Sequence, residues 1–359
     1  MSSSAASAAE IHKSTADASS SLPRAGASAV FGPPPRPAVF PPSDGGAVRV
    51  DFRGWPSTPR MWGRWVEKLR PRHEQAWRDL GILDGILATV DCGRVRRDER
   101  LLLLLAGFWS AAKGSFVFPW GEATVTLEDV AVLAGLPVVG VPVSEEVIAT
   151  LAADVSALEV ARVVMNRGKC RKPVYSAWIR HFLERSPGAG DVVEHGAFLA
   201  MWLSLYVLPA PPSNVVRAQV FPTAVLLARG QSVSLAPAVL AAIYNDLTAL
   251  SYHLAVSGRV GNHLPLACWA PLQTLQLWVW EHFPALSPPT AFAGGIQGGV
   301  AAPRAARWRS ARKVFDPAHI RAALMTPGAF LRRPYGSTSG FASPPEANGQ
   351  GFEVKQEKV

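Results

Sequence analysis

Ser115 to Val143 reads SFVFPWGEATVTLEDVAVLAGLPVVGVPV, and three kinds of local signal follow one another in it without a gap. Ser115 to Phe118 and Ala123 to Thr126 are short β-favouring runs, and Pro119-Trp120-Gly121-Glu122 between them supplies the Pro and Gly of a tight reversal. The pattern predicts a small hairpin. Thr126 then stands where a helix N-cap belongs, with Asp129 three residues on as in a capping box. Leu127, Val130, Ala131 and Ala134 form an apolar stripe behind it. Gly135 and Pro137 end that helix.

Outward from this stretch the period is helical almost throughout. Upstream, Trp62, Trp65 and Leu69 begin a helix for which Thr58-Pro59 offers a cap and a first-turn proline. Asp98 to Ala112 puts Leu101, Leu104, Leu105 and Phe108 on one face. Downstream, Ser144 is placed to cap a helix from Glu145 to Asp154, whose leading glutamates suit its positive end. Further stripes follow: Tyr175, Trp178, Ile179 and Phe182; Phe198, Met201, Trp202 and Leu205; Val239, Ile243, Leu247 and Leu250; Leu272, Leu275, Val279 and Phe283. The expectation is a mainly α, compact helical domain with one small β-hairpin over residues 47–285. Residues 1–46 are Ser, Ala and Pro rich and read as disordered. Residues 286–303 read as a Pro/Gly linker, 304–333 as a basic segment and 334–359 as a disordered tail.

The hairpin and helix resemble the plant mobile domain, a family also called aminotransferase-like and found in plant transposable elements and in proteins similar to the maintenance-of-meristems protein. The motif residues in register are Phe116, Pro119, Gly121, Glu122, Thr124, Thr126, Leu127, Asp129 and Val130, then Gly135-Leu136-Pro137, with Trp120 at the turn tip. Ser234 to Leu247 and Pro271 to Pro284 look like the family's closing helices, so the resemblance spans roughly Val48 to Pro284. Where many members carry His, this chain has Val117, and no His-based chemistry carries over to that position.

Composition narrows the classes. A hydrophobic share of 48% and 12 Trp in 359 residues are ample for a sizeable core. The formal charge of +9 is local: eight Lys or Arg face only Asp316 between Arg304 and Arg333, and seven face only Glu184 between Arg162 and Arg185. Cys92, Cys170 and Cys268 show neither disulfide nor zinc-finger spacing, which fits a reducing compartment. Leu101 to Trp109 is too short an apolar run to span a bilayer. The chain reads as not secreted, and Glu10 and Asp17 count against a plastid transit peptide, with the cytoplasm as the alternative to the nucleus.

Catalysis finds little support in the residues. Glu122, Glu128 and Asp129 could act as paired carboxylates or metal ligands, but acids in a helix's first turn and in a reversal have ordinary structural uses. Lys113 is the one lysine beside the core pattern, and it lacks the Gly-rich phosphate cradle that pyridoxal phosphate would need, so no cofactor is assigned. His263 with Cys268, and His181 with His195, lack the i, i+4 spacing of a helical metal pair. Arg304, Arg307, Arg309, Arg312 and Lys313, with Trp308 among them, are candidates for contact with nucleic acid or for a nuclear import signal, Trp308 stacking on bases. Trp120 at a turn tip is expected to be an exposed anchor for a partner.

The first expectation is a non-catalytic, nuclear protein-interaction module. The resemblance implies roles in silencing transposable elements, in genome stability and in meristem maintenance, with nuclear proteins and a phosphatase of the protein phosphatase seven type as partners. The alternative is a transposon-encoded nucleic-acid-binding protein, and an enzyme comes third.

Overall fold

The computed structural model describes residues 48–91, 95–167, 172–184, 191–257, 264–289, 304–308, 311 and 314–335. Residues 1–46, expected to be disordered, and most of the linker and tail lie outside them. The chain is mainly helical, with twelve α-helices among the described residues. They are α1 (Trp62–Asp79), α2 (Leu83–Asp91), α3 (Glu99–Ala106), α4 (Leu127–Ala134), α5 (Glu145–Thr150), α6 (Ala152–Arg167), α7 (Tyr175–Leu183), α8 (Asp191–Trp202), α9 (Phe221–Ala228), α10 (Ala236–Ser257), α11 (Leu272–His282) and α12 (Pro317–Met325). None of the described helices is long and apolar enough to cross a membrane.

The strands form two small sheets. β3 (Ser115–Phe118) pairs antiparallel with β4 (Gly121–Ala123), Phe118 opposite Gly121, so the reversal is tighter than the sequence suggested and turns on Pro119 and Trp120. A third strand, β2 (Trp109–Ser110), pairs with β3 on its other edge. The helix expected over Asp98 to Ala112 therefore stops early: Gly107 takes the C-cap, and Gly114 closes a turn onto the Ser110 carbonyl at 2.9 Å. The second sheet, not foreseen, pairs β1 (Val50–Phe52) in parallel with β5 (Leu266–Cys268).

Tryptophans fill the core, and most of those described spend their indole N–H groups within it, although the buried Trp202 and Trp278 do not. Trp62 stacks on Phe198 at 4.8 Å and donates to Thr89 Oγ1 at 2.8 Å. Trp178 donates to the Ala197 carbonyl at 2.9 Å, and Trp109 to Thr248 Oγ1 at 3.0 Å. Along the seam of α1 and α8, Glu194 accepts from Lys68 at 2.7 Å and from Trp65, while Trp77 donates to His195 Nε2 at 2.9 Å. Burial, then the neighbouring His73, stacked on it at 3.9 Å, push the His195 pKa down to about 3. The accepting Nε2 is consistent with a neutral ring.

Three local expectations are corrected. Thr58 does not cap α1; its hydroxyl reaches the Thr89 carbonyl, and Met61 occupies the N-cap without a side-chain bond. The helix capped by Ser144 ends at Thr150, and after Leu151 a new sixteen-residue helix, α6, begins at Ala152. Most important, the core does not stop at Pro284. Trp308, Ala311, Phe315, Ile320, Leu324 and Tyr335 are buried in the same core as Trp278 and Phe283. The described residues between 304 and 335 are thus a layer of the domain, laid against a helix whose polar residues Gln276, Glu281 and His282 are themselves buried.

Candidate functional site

The motif folds as its sequence dictates and gathers around the N-terminus of α4. Thr126 accepts from the Asp129 amide at 3.2 Å while Asp129 Oδ2 accepts from the Thr126 amide at 2.7 Å, the reciprocal pair of a capping box. Gly135 ends α4 at φ 62°, in the left-handed region, and a Cβ there would lie 2.3 Å from the Gly85 nitrogen of α2. Both the turn and the close approach therefore require glycine.

Asp129 is the centre of the arrangement. Its other oxygen, Oδ1, accepts from His282 Nε2 at 2.9 Å and from the Tyr335 hydroxyl at 2.5 Å. His282 Nδ1 lies 2.6 Å from the Leu331 carbonyl, so the two ring nitrogens face a carboxylate and a carbonyl, both acceptors. Burial alone would raise the Asp129 pKa, but the hydrogen bonds from His282 and Tyr335 outweigh it and hold the carboxyl below its ordinary range. Burial and the Asp129 charge push the Tyr335 phenol up, so it remains a donor.

Next to His282, the carboxylate of Glu281 is buried and accepts from Arg304 Nη2 at 2.7 Å, from Arg307 at 3.4 Å and from Trp308 Nε1 at 2.8 Å. Arg304 also donates to the Pro334 carbonyl at 3.0 Å and lies over the Tyr335 ring. Two adjacent residues at the end of α11 thus fasten both ends of the layer formed by residues 304–335. This corrects the expected role of Trp308, which is only 2% exposed and cannot offer a face for base stacking. Arg304 and Arg307 are engaged by Glu281, and Arg309, Arg312 and Lys313 lie outside the described residues.

Trp120 is corrected likewise. It is half-buried, stacks on Phe118 at 4.7 Å and Phe330 at 5.4 Å, and donates to the Leu324 carbonyl at 2.8 Å. The turn tip is covered by α12 and the residues after it, which the sequence reading had placed outside the domain. Of the other motif residues, Phe116 sits between Trp109 and Trp278, and Thr124 bonds to the Tyr244 hydroxyl of α10 at 2.7 Å. Glu122 pairs with Lys113 and accepts from Ser115 at 2.8 Å, and these bonds lower its pKa. Pro119 and Gly121 shape the turn, and Leu127 is exposed at the start of α4.

Beside the motif lies a cleft of about 420 Å³. Glu122, Thr124, Thr126, Glu128 and Asp129 form one side; His282, Phe330, Arg332, Arg333 and Tyr335 form the other. Arg332 and Arg333 are exposed there, and neither makes an ion pair to another described residue. Among the described residues no group of three or more His, Cys, Asp or Glu side chains is placed to hold a metal ion. His282 and Tyr335 were missed in the sequence, and Arg332 and Arg333 were read there only as part of the basic segment 304–333. One signal pointed towards them: α11 carries Leu, Trp and Val on every face, which marks a helix covered on all sides.

No solved structure matches the chain. The serine/threonine-protein phosphatase 7 long form homolog of Arabidopsis thaliana is 24% identical over 297 residues, 74% of this chain and only 21% of that relative's length. The family model described as plant mobile domain matches residues 81–353, a span that takes in α12 and Tyr335. With more than half of its length inside that match, the chain belongs to the plant mobile domain family.

Proposed function

We propose that the domain is a nuclear protein-interaction module without catalysis of its own, acting in transposable-element silencing, genome stability and meristem maintenance. The observation that carries the reading is how the motif's acids are used. Asp129 is consumed by four structural hydrogen bonds and Glu122 by Lys113 and Ser115, so the motif builds a cleft rather than arming it. What the cleft offers to a visitor is Arg332, Arg333 and Glu128, a mixed-charge rim of the kind that sets partner choice. The phosphatase name of the Arabidopsis relative supports a phosphatase of the protein phosphatase seven type as the partner.

The test is affinity purification from plant nuclei, with and without nuclease, using the intact chain and an Arg332→Ala/Arg333→Ala variant. The reading expects phosphatase activity to be recovered with the intact chain, to survive nuclease and to fall with the variant. Recovery that nuclease abolishes, or that the double substitution leaves unchanged, overturns it.

A further inference from the structure

A second cleft, of about 490 Å³, lies apart from the motif, between the segment that follows β1, the start of α7 and the turn at Asn214. Its volume falls within the ~300–1,000 Å³ of small-ligand sites. Trp55, Met61, Ile179 and Leu205 give it an apolar wall, and Arg53 and Arg60 stand at its edge with no acid among the residues that line it.

Trp55 is mounted rigidly. Its amide donates to the Phe52 carbonyl at 3.2 Å, and Gly54 before it donates to the Cys268 carbonyl at 3.0 Å. A Cβ on Gly54 would lie 2.2 Å from the Trp269 and Ala270 carbonyl oxygens, so this turn sits directly on the backbone that follows β5. The Trp55 ring is half-buried, and its indole N–H makes no hydrogen bond to another described residue. Seven of the other indoles in the described chain have a partner, namely those of Trp62, Trp65, Trp77, Trp109, Trp120, Trp178 and Trp308, while those of the buried Trp202 and Trp278 have none.

Further cations follow closely in the chain on the residues that line the cleft. Arg60 is exposed on the segment leading into α1, and Arg180 is exposed one turn along α7 from Ser176, which lines the cleft. Lys172 is exposed just before α7. None of these three cations pairs with another described residue, and Arg53 pairs with Asp51 at the surface.

We propose that this cleft binds single-stranded nucleic acid, one base stacking on Trp55 and the flanking phosphates meeting Arg60, Lys172 and Arg180. A flat aromatic wall beside cations on two elements suits a chain of alternating bases and phosphates. A phosphorylated peptide would instead want the cations converging on a single point.

The experiment is fluorescence anisotropy of labelled oligo(dT) and oligo(U) with the full chain over a salt series, repeated with Trp55→Ala and Arg60→Ala. The inference expects binding that weakens as salt rises, a loss of about 5- to 150-fold on Trp55→Ala and a salt slope shallower by about 0.7 on Arg60→Ala. Should Trp55→Ala fail to fold by circular dichroism, the exposed Arg60→Ala decides alone. Absence of binding at low salt, unchanged affinity and slope in the folded variants, or displacement of the strand by a phosphoserine peptide at lower concentration than by unlabelled oligonucleotide overturns it.

Discussion

Replacing Asp129 with alanine tests how the motif is used. Its carboxylate takes four donors: the Thr126 amide at 2.7 Å, the Thr126 hydroxyl at 2.8 Å, His282 at 2.9 Å and Tyr335 at 2.5 Å. Losing the capping box costs about 1 kcal/mol. Without the carboxylate the buried His282 Nε2–H loses its acceptor, which costs about 1–3 kcal/mol. The Tyr335 hydroxyl, buried with it, adds about 1–3 kcal/mol if it finds no other acceptor. These losses share one network and do not simply add, so about 3–5 kcal/mol is expected, a large part of the ~5–15 kcal/mol that holds a typical domain. Urea unfolding followed by tryptophan fluorescence reads it, with Glu128→Ala, the exposed acid next door, as a control expected within ~0.5 kcal/mol of the parent. A midpoint for Asp129→Ala equal to that of Glu128→Ala would mean that these four bonds do not hold the fold.

Gly135→Ala should destabilise by about 2–5 kcal/mol, from the left-handed backbone together with overpacking against α2, and thermal unfolding checks it. Acid should weaken the fold through His195: the unfolded ring binds its proton below about 6.5 but the folded one only near 3, so unfolding takes up a proton between those values. Stability then falls by about 1.4 kcal/mol per pH unit as pH drops through that window, and His195→Gln should remove that part of the slope in urea titrations between about pH 6 and 4.

What the sequence made legible was local. The capping box at Thr126 and Asp129, the terminating Gly135 and the stripes of α7, α10 and α11 are written within a few residues of one another, where spacing and propensity suffice. The features missed join distant residues. β1 and β5 pair across more than two hundred positions, with Val50 opposite Leu266, and neither strand is long enough to announce itself. Asp129 meets Tyr335 across 206 positions and Trp120 meets Leu324 across 204. The basic run at Arg304 misled for a physical reason: positive charge reads as solvent-facing, yet here the buried Glu281 carboxylate draws Arg304 and Arg307 onto the core. Trp120 misled similarly, because a turn tip is exposed only when no other element covers it.

Native-state hydrogen exchange on the intact chain tests the central claim, that residues 304–335 belong to the fold and are fastened by Glu281, His282 and Asp129. The Leu331 amide donates to the His282 carbonyl at 2.8 Å while the Leu331 carbonyl meets the His282 ring at 2.6 Å. The amides of Leu331 and α12 should be protected to the same degree as those of α11 and lose protection with them. Exchange of Leu331 and α12 at the rate of an open chain while α11 stays protected would contradict it.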